Sequence, residues 1–188
     1  MKRFAVILTA LLVLLTATAS ARTVEQEQAR IEEVHAEALD RFFSKKPYLE
    51  DAVQSAYGYA TLSSSRVLLF GRGRGMAVNN ETGERVYIKM DEINFLGLGI
   101  GLLGCIEYDM LMTFEDRDAW EQFMRGKTKT SVTTVAVASG NDRPSGSGNK
   151  TLTARNVTTY TLTKKGLEVS VGWSAIKIYA PKKLNGGY

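Results

Sequence analysis

Ile31, Val34, Ala38, Leu39, Phe42 and Phe43 recur at three- and four-residue steps, with His35 in the same stripe. That period predicts a helix burying one face. Glu25, Glu32, Glu33 and Asp40 fall largely off the stripe and make the other face acidic. Such a helix packs on a protein core or a second copy; interfacial helices favour Lys and Arg on the polar face. Thr23 followed by Gln26 three residues later reads as a capping box. Lys45-Lys46-Pro47 ends the helix, and Pro47 opens a second short one through about Gln54.

From Tyr57 the period changes. Val67 to Phe70 runs through Gly71-Arg72-Gly73-Arg74-Gly75 into Met76 to Val78, which predicts one long strand. Asn79 to Gly83 is a turn, and Glu84 to Met90 is the strand returning from it. Asn94 to about Leu103 and Tyr108 to Phe114 are further strands. Glu115-Asp116 caps a helix with Ala119, Trp120, Phe123 and Met124 on one face, and Gly126 stops it. Thr130 to Ala138 is extended, Ser139 to Asn149 is a loop by composition, and two strands close the chain. These lie near Thr151–Leu162 and Leu167–Tyr179, joined at Lys164-Lys165-Gly166. Strands grouped apart from helices predict an α+β fold with a mainly antiparallel sheet.

Two strands carry glycine at every second position. Gly71, Gly73 and Gly75 share one face of theirs, and Gly97, Gly99 and Gly101 share one face of the other. The second also spells G-x-G-x-x-G from Gly99 to Gly104. A phosphate-cradling loop of that spelling needs a helix directly after it. Here Cys105 to Phe114 reads as strand, so nucleotide binding is not expected. Smooth stripes predict a strongly curved or barrel-like sheet, or a helix lying flat on it.

The first residues change the picture of where the domain starts. Met1-Lys2-Arg3, the apolar run from Phe4 to Leu15 and the small-residue site Ala19-Ser20-Ala21 read as a secretory leader, with an uncleaved anchor as the alternative. Cleavage near Ala21 places residues 1–21 outside the fold, residues 22–46 as the N-terminal helix and residues 47–188 as one domain. The mature chain is then periplasmic or secreted. Of 24 basic side chains, 22 remain after Lys2 and Arg3 are removed, against 20 acidic ones. That balance gives no reason to expect nucleic acid. Cys105 is the single cysteine and reads as a small core residue. His35 reads as a core or helix-edge histidine, because nothing nominates a nucleophile beside it. Glu107 and Asp109, two apart on a strand, read as polar residues facing water. No metal-ligand spacing is present, so no catalytic centre, metal or cofactor is expected.

Several segments occur in a telling order. Gly58-Tyr59-Ala60 precedes the two glycine strands; Met110 to Phe114, the helix ending Gly126-Lys127, and Thr134 to Ala138 follow. Thr159 to Val169 then leads into an alternating strand. From Pro47 to Tyr179 this order resembles the SYLF-domain family of bacterial exported and eukaryotic membrane-trafficking proteins. The resemblance implies a non-catalytic domain that binds lipid, often with phosphorylated headgroups, at a membrane surface. Arg72 and Arg74, on one strand face between Phe70 and Met76, are the leading candidates for anionic headgroups. Lys127 with Lys129, and Lys164 with Lys165, are further basic pairs. The expected partner is an anionic phospholipid or membrane surface. The alternative is a protein-interaction or structural module of the bacterial envelope, partnered by other envelope proteins and with no lipid ligand.

Overall fold

The computed structural model describes residues 22–67, 70–95, 105–126, 130–134, 156–165 and 172–186. The expected leader, the stretch from Leu96 to Leu103, Lys127, Lys129, the expected Ser139–Asn149 loop and the outer parts of the last three predicted strands lie outside the described residues.

Helix α1 spans Val24–Lys45, and α2 spans Tyr48–Ser55. The predicted capping box starts α1: Thr23 Oγ1 accepts from the Gln26 amide, and Gln26 Oε1 accepts from the Thr23 amide. Strands β1 (Gly58–Val67), β2 (Phe70–Asn79), β3 (Arg85–Phe95) and β4 (Cys105–Phe114) follow. Helix α3 (Arg117–Met124) comes next, its Ala119 amide capped by Asp116 Oδ1 at 2.8 Å. Strands β5 (Thr130–Thr134), β6 (Val157–Lys165) and β7 (Gly172–Tyr179) precede a single 3-10 turn at Lys182–Leu184. Gly83 and Gly126 take φ of +70° and +64°, as the turn and helix stop require.

The strands form one antiparallel sheet in the order β5-β7-β3-β2-β1-β4-β6. Two sequence expectations change. The predicted strand from Val67 to Val78 is split, because the chain reverses there and Val67 pairs with Phe70 across a hairpin. Val67 ends β1, a central strand that the serine-rich stretch Ser63-Ser64-Ser65 conceals. Asn94 and Phe95 belong to the end of β3 and do not begin a new strand. Among the described residues the sheet is open, with β5 and β6 at its edges, and does not close into a barrel.

Each face of the sheet has its own core. On one, Ala60, Leu62, Ile88, Met90, Met110, Met112 and Phe114 pack under Ala119, Trp120 and Phe123 of α3. On the other lie α1 and α2: Phe42, Leu49 and Val53 meet Leu111, and Ile31 meets Met76 and Leu184. Helix α1 therefore rests on the face bearing Arg74 and Met76, opposite the glycine stripe. The stripe instead makes room for long side chains of the neighbouring strand. A Cβ at Gly73 would meet Met90, and one at Gly71 would meet Glu92.

The chain's last turn is fastened to this second face. Asn185 Oδ1 accepts from the Tyr87 amide at 2.8 Å, and its Nδ2 donates to the Tyr87 carbonyl at 3.0 Å. Gln28 Nε2 donates to the Leu184 carbonyl at 2.9 Å, tying the turn to α1.

Candidate functional site

Helix α1 crosses the strands. Glu27 stands over Arg74 and Lys89, His35 over Thr61, and Arg41 over Asp109. Two rows of residues on the same face lie beyond its flank. In the nearer row, strand register sets Lys177, Asp91, Arg72, Ser65 and Glu107 side by side. In the outer row it sets Ile93, Phe70 and Val67 side by side. Those three are 44%, 66% and 55% exposed, a contiguous apolar strip at the sheet's end. Arg72 and Lys177 beside it are exposed too.

The predicted basic residues have different surroundings. Arg72 and Arg74 share a face, as the two-residue period requires. Arg74 Nη1, however, lies 3.6 Å from Glu27 Oε1, so α1 engages it. Lys164 Nζ donates to Ser63 Oγ at 2.6 Å and lies 3.3 Å from Asp109 Oδ1. Lys165 pairs in register with Glu107 on β4, and Lys127 and Lys129 lie outside the described residues. Lys89 and Lys177 complete the basic face. They were hidden because Lys89 sits among Tyr87, Ile88 and Met90, and Lys177 in the Ile176–Ile178 run. Strand alternation was the available signal for both.

Asp109 corrects a sequence expectation. It does not face water: it is fully buried, and Arg41 Nε donates to its Oδ2 at 2.6 Å while Lys164 approaches Oδ1. The reason is α1, whose C-terminal half roofs this part of β4. His35 fits its core reading, at 7% exposure, with Nδ1 2.6 Å from Thr61 Oγ1 and its ring stacked on Tyr59.

Burial, followed by the charge of Arg85, lowers the His35 pKa from 6.5 to about 4; Glu32 opposes this in part. The folded state thus takes up its proton less readily than the unfolded chain. Stability from this group is complete above about pH 6.5 and is lost as pH falls towards 4. The loss amounts to roughly 3 kcal/mol across that window. Urea midpoints at pH 7 and pH 4.5 should differ more in the wild type than in His35→Gln. Equal differences in the two proteins would remove His35 as the cause.

Two concavities flank Leu184. The larger, about 670 Å³, opens between β3, the end of α3 and the last turn, with both charge signs on its rim in Glu84, Arg85 and Arg125. The smaller, about 330 Å³, lies at the start of α1. Among the described residues, no group of acidic, histidine or cysteine side chains is arranged to hold a metal ion. Nor is any described helix long and apolar enough to cross a membrane.

No family model matches the chain. The chain is similar to Beta cell expansion factor A of Aeromonas veronii, with 29% identity over 170 residues. The match covers 87% of this chain, which spans 60% of that relative's length.

Proposed function

We propose that this protein binds anionic lipid headgroups at a membrane surface in the bacterial envelope, without catalysing a reaction. The observation that carries this reading is the exposed strip of Phe70, Val67 and Ile93 lying against Arg72 and Lys177. Apolar side chains at a sheet's end can enter the boundary between headgroups and acyl chains, while cations just behind them meet phosphate. Arginine suits the second role because its planar fork contacts two phosphate oxygens. The resemblance to SYLF domains supports the same reading, and so does the expected secretory leader, whose cleavage would bring the protein to envelope lipids. Asp91 and Glu107 in the same row moderate the field, so attraction depends on the apolar strip as well as on charge.

The test is co-sedimentation of the full chain with vesicles of phosphatidylcholine, alone or mixed with phosphatidylglycerol, at low and high salt. Binding is expected with the anionic vesicles and should weaken as salt screens the surface. Arg72→Ala should lower partitioning roughly fivefold, the effect of one basic residue near an anionic surface. Phe70→Ser should lower it at both salt concentrations, because its contribution is apolar. Absence of sedimentation with either vesicle overturns the reading. The exposed strip would then favour an envelope protein as partner.

A further inference from the structure

We propose that the smaller cavity, at the start of α1, binds a phosphomonoester dianion, which displaces the Glu27 carboxylate as the anion held there. Cations from three separate segments, Arg22, Lys89 and Lys183, line this cavity, and a fourth, Arg74, pairs with the Glu27 that lines it. Lys89 Nζ of β3 lies 3.3 Å from Glu27 Oε1, and Arg74 Nη1 of β2 lies 3.6 Å from the same oxygen. Arg22 Nη1, just before α1, lies 3.8 Å from Glu27 Oε2. Lys183, from the turn after β7, lines the same cavity as Arg22, Glu27 and Lys89.

The charges do not balance. Three cations point at one carboxylate, and Lys183 lines the same cavity. Held together, the cations repel each other, and a dianion in their midst offsets more of that repulsion than the single charge of Glu27. Arg74 does not line the cavity; its Nη1, out of contact with solvent and without a hydrogen bond among the described residues, adds its positive charge from beside Glu27. The Thr23 capping box already occupies the Gln26 amide, so the site is built from side chains and not from the helix end.

Size and lining narrow the ligand. A cavity of about 330 Å³ is at the lower end of the range for small-molecule sites. It has room for a phosphate and the first atoms of the group it esterifies. Val24, Pro181 and Leu184 supply an apolar wall for those atoms. Glu27 is only 16% exposed, so its pairs are screened less than surface ones and set a real threshold for entry. The arrangement does not depend on a bilayer, so the inference goes beyond the membrane reading and can fail separately from it.

Calorimetry and thermal melts of the full chain with inorganic phosphate, and with soluble dihexanoyl phosphatidic acid, test it. Vesicles of phosphatidylcholine with phosphatidic acid form a separate arm. Saturable phosphate binding that raises the melting temperature is expected. Glu27→Gln should tighten it roughly fivefold or more, because the competing internal anion is gone. Lys89→Ala combined with Lys183→Ala should weaken it more than tenfold. A site for the esterified ligand predicts tighter binding of the soluble lipid than of inorganic phosphate. Equal binding of the two assigns the site to free phosphate. No binding by wild type or by Glu27→Gln overturns the proposal. So does binding that all these substitutions leave unchanged, since the anion would then sit elsewhere. If the soluble ligands bind but the vesicles do not, the cavity stands and the membrane reading fails.

Discussion

Gly75→Ala is expected to remove the cooperative unfolding transition, or to shift it by at least about 4 kcal/mol, a loss reserved for a few severe mechanisms. A Cβ at this position would lie 1.7 Å from the Thr61 carbonyl oxygen and 2.9 Å from Leu62 Cα. Both atoms belong to the backbone of β1, which is paired with β2 on one side and β4 on the other. Relief therefore requires moving a central strand out of two ladders at once. Gly73→Ala is the internal comparison. Its nearest neighbour, at 3.1 Å, is the terminal methyl of Met90, which can swing, although Met90 Cβ and the Ser63 carbonyl follow at 3.3 Å. Overpacking of that kind costs about 1–3 kcal/mol. Urea titrations followed by tryptophan fluorescence separate the two. A Gly75→Ala protein within about 1 kcal/mol of wild type would mean that β1 yields there, against the rigidity expected of a close-packed interior.

The contrast also explains which parts of the fold could be read from the chain. Helices α1, α2 and α3 and the turn at Asn79–Gly83 are written in local signals: caps, a 3.6-residue period, a proline and glycines at stops. Strand β1 is not, because hydropathy fails to alternate along it. Ser64 and Arg66 occupy buried positions where Val or Ile is usual. Ser64 Oγ donates to the Arg72 carbonyl, and Arg66 meets Glu92, so neither needs an apolar neighbour in sequence to be satisfied inside. Part of the candidate surface was legible, since alternation alone sets Phe70, Arg72 and Arg74 on one face. The pairing of Arg74 with Glu27, and the burial of Asp109 under Arg41, depend on where α1 lies across the sheet. No local pattern encodes that. The glycine stripe misdirects for a related reason: its space is filled by Met90 and Glu92 from β3, and the helix rests on the opposite face where Tyr59, Met76 and Leu111 offer apolar contact.

Glu92→Ala should cost about 3–5 kcal/mol, the usual result of removing one member of a buried ion pair. Arg66 Nη1 lies 3.2 Å from Glu92 Oε1, and the Tyr108 hydroxyl donates to Oε2 at 2.5 Å. The three residues are 3%, 1% and 1% exposed. Burial, with the adjacent Glu92 charge, raises the Tyr108 hydroxyl well above its ordinary pKa, so it stays a donor at any working pH. Truncation removes the carboxylate that a buried guanidinium faces and the oxygen to which the buried Tyr108 hydroxyl donates. Replacing the pair together, Arg66→Met with Glu92→Leu, should recover much of the loss, because the desolvation of both charges is then avoided. Register gives the pair its functional weight. Arg66, Gly71 and Glu92 form the row between Ser65-Arg72-Asp91 and Val67-Phe70-Ile93, with side chains on the opposite face. The buried pair thus ties together three strands directly behind the exposed strip and its cations. Glu92→Ala should therefore weaken vesicle binding even below its unfolding midpoint, and the double replacement should restore it. Stability lost with vesicle binding intact would show that the strip keeps its shape without the pair behind it. A loss under about 1 kcal/mol would mean that the other contacts of Arg66 hold this end of the sheet.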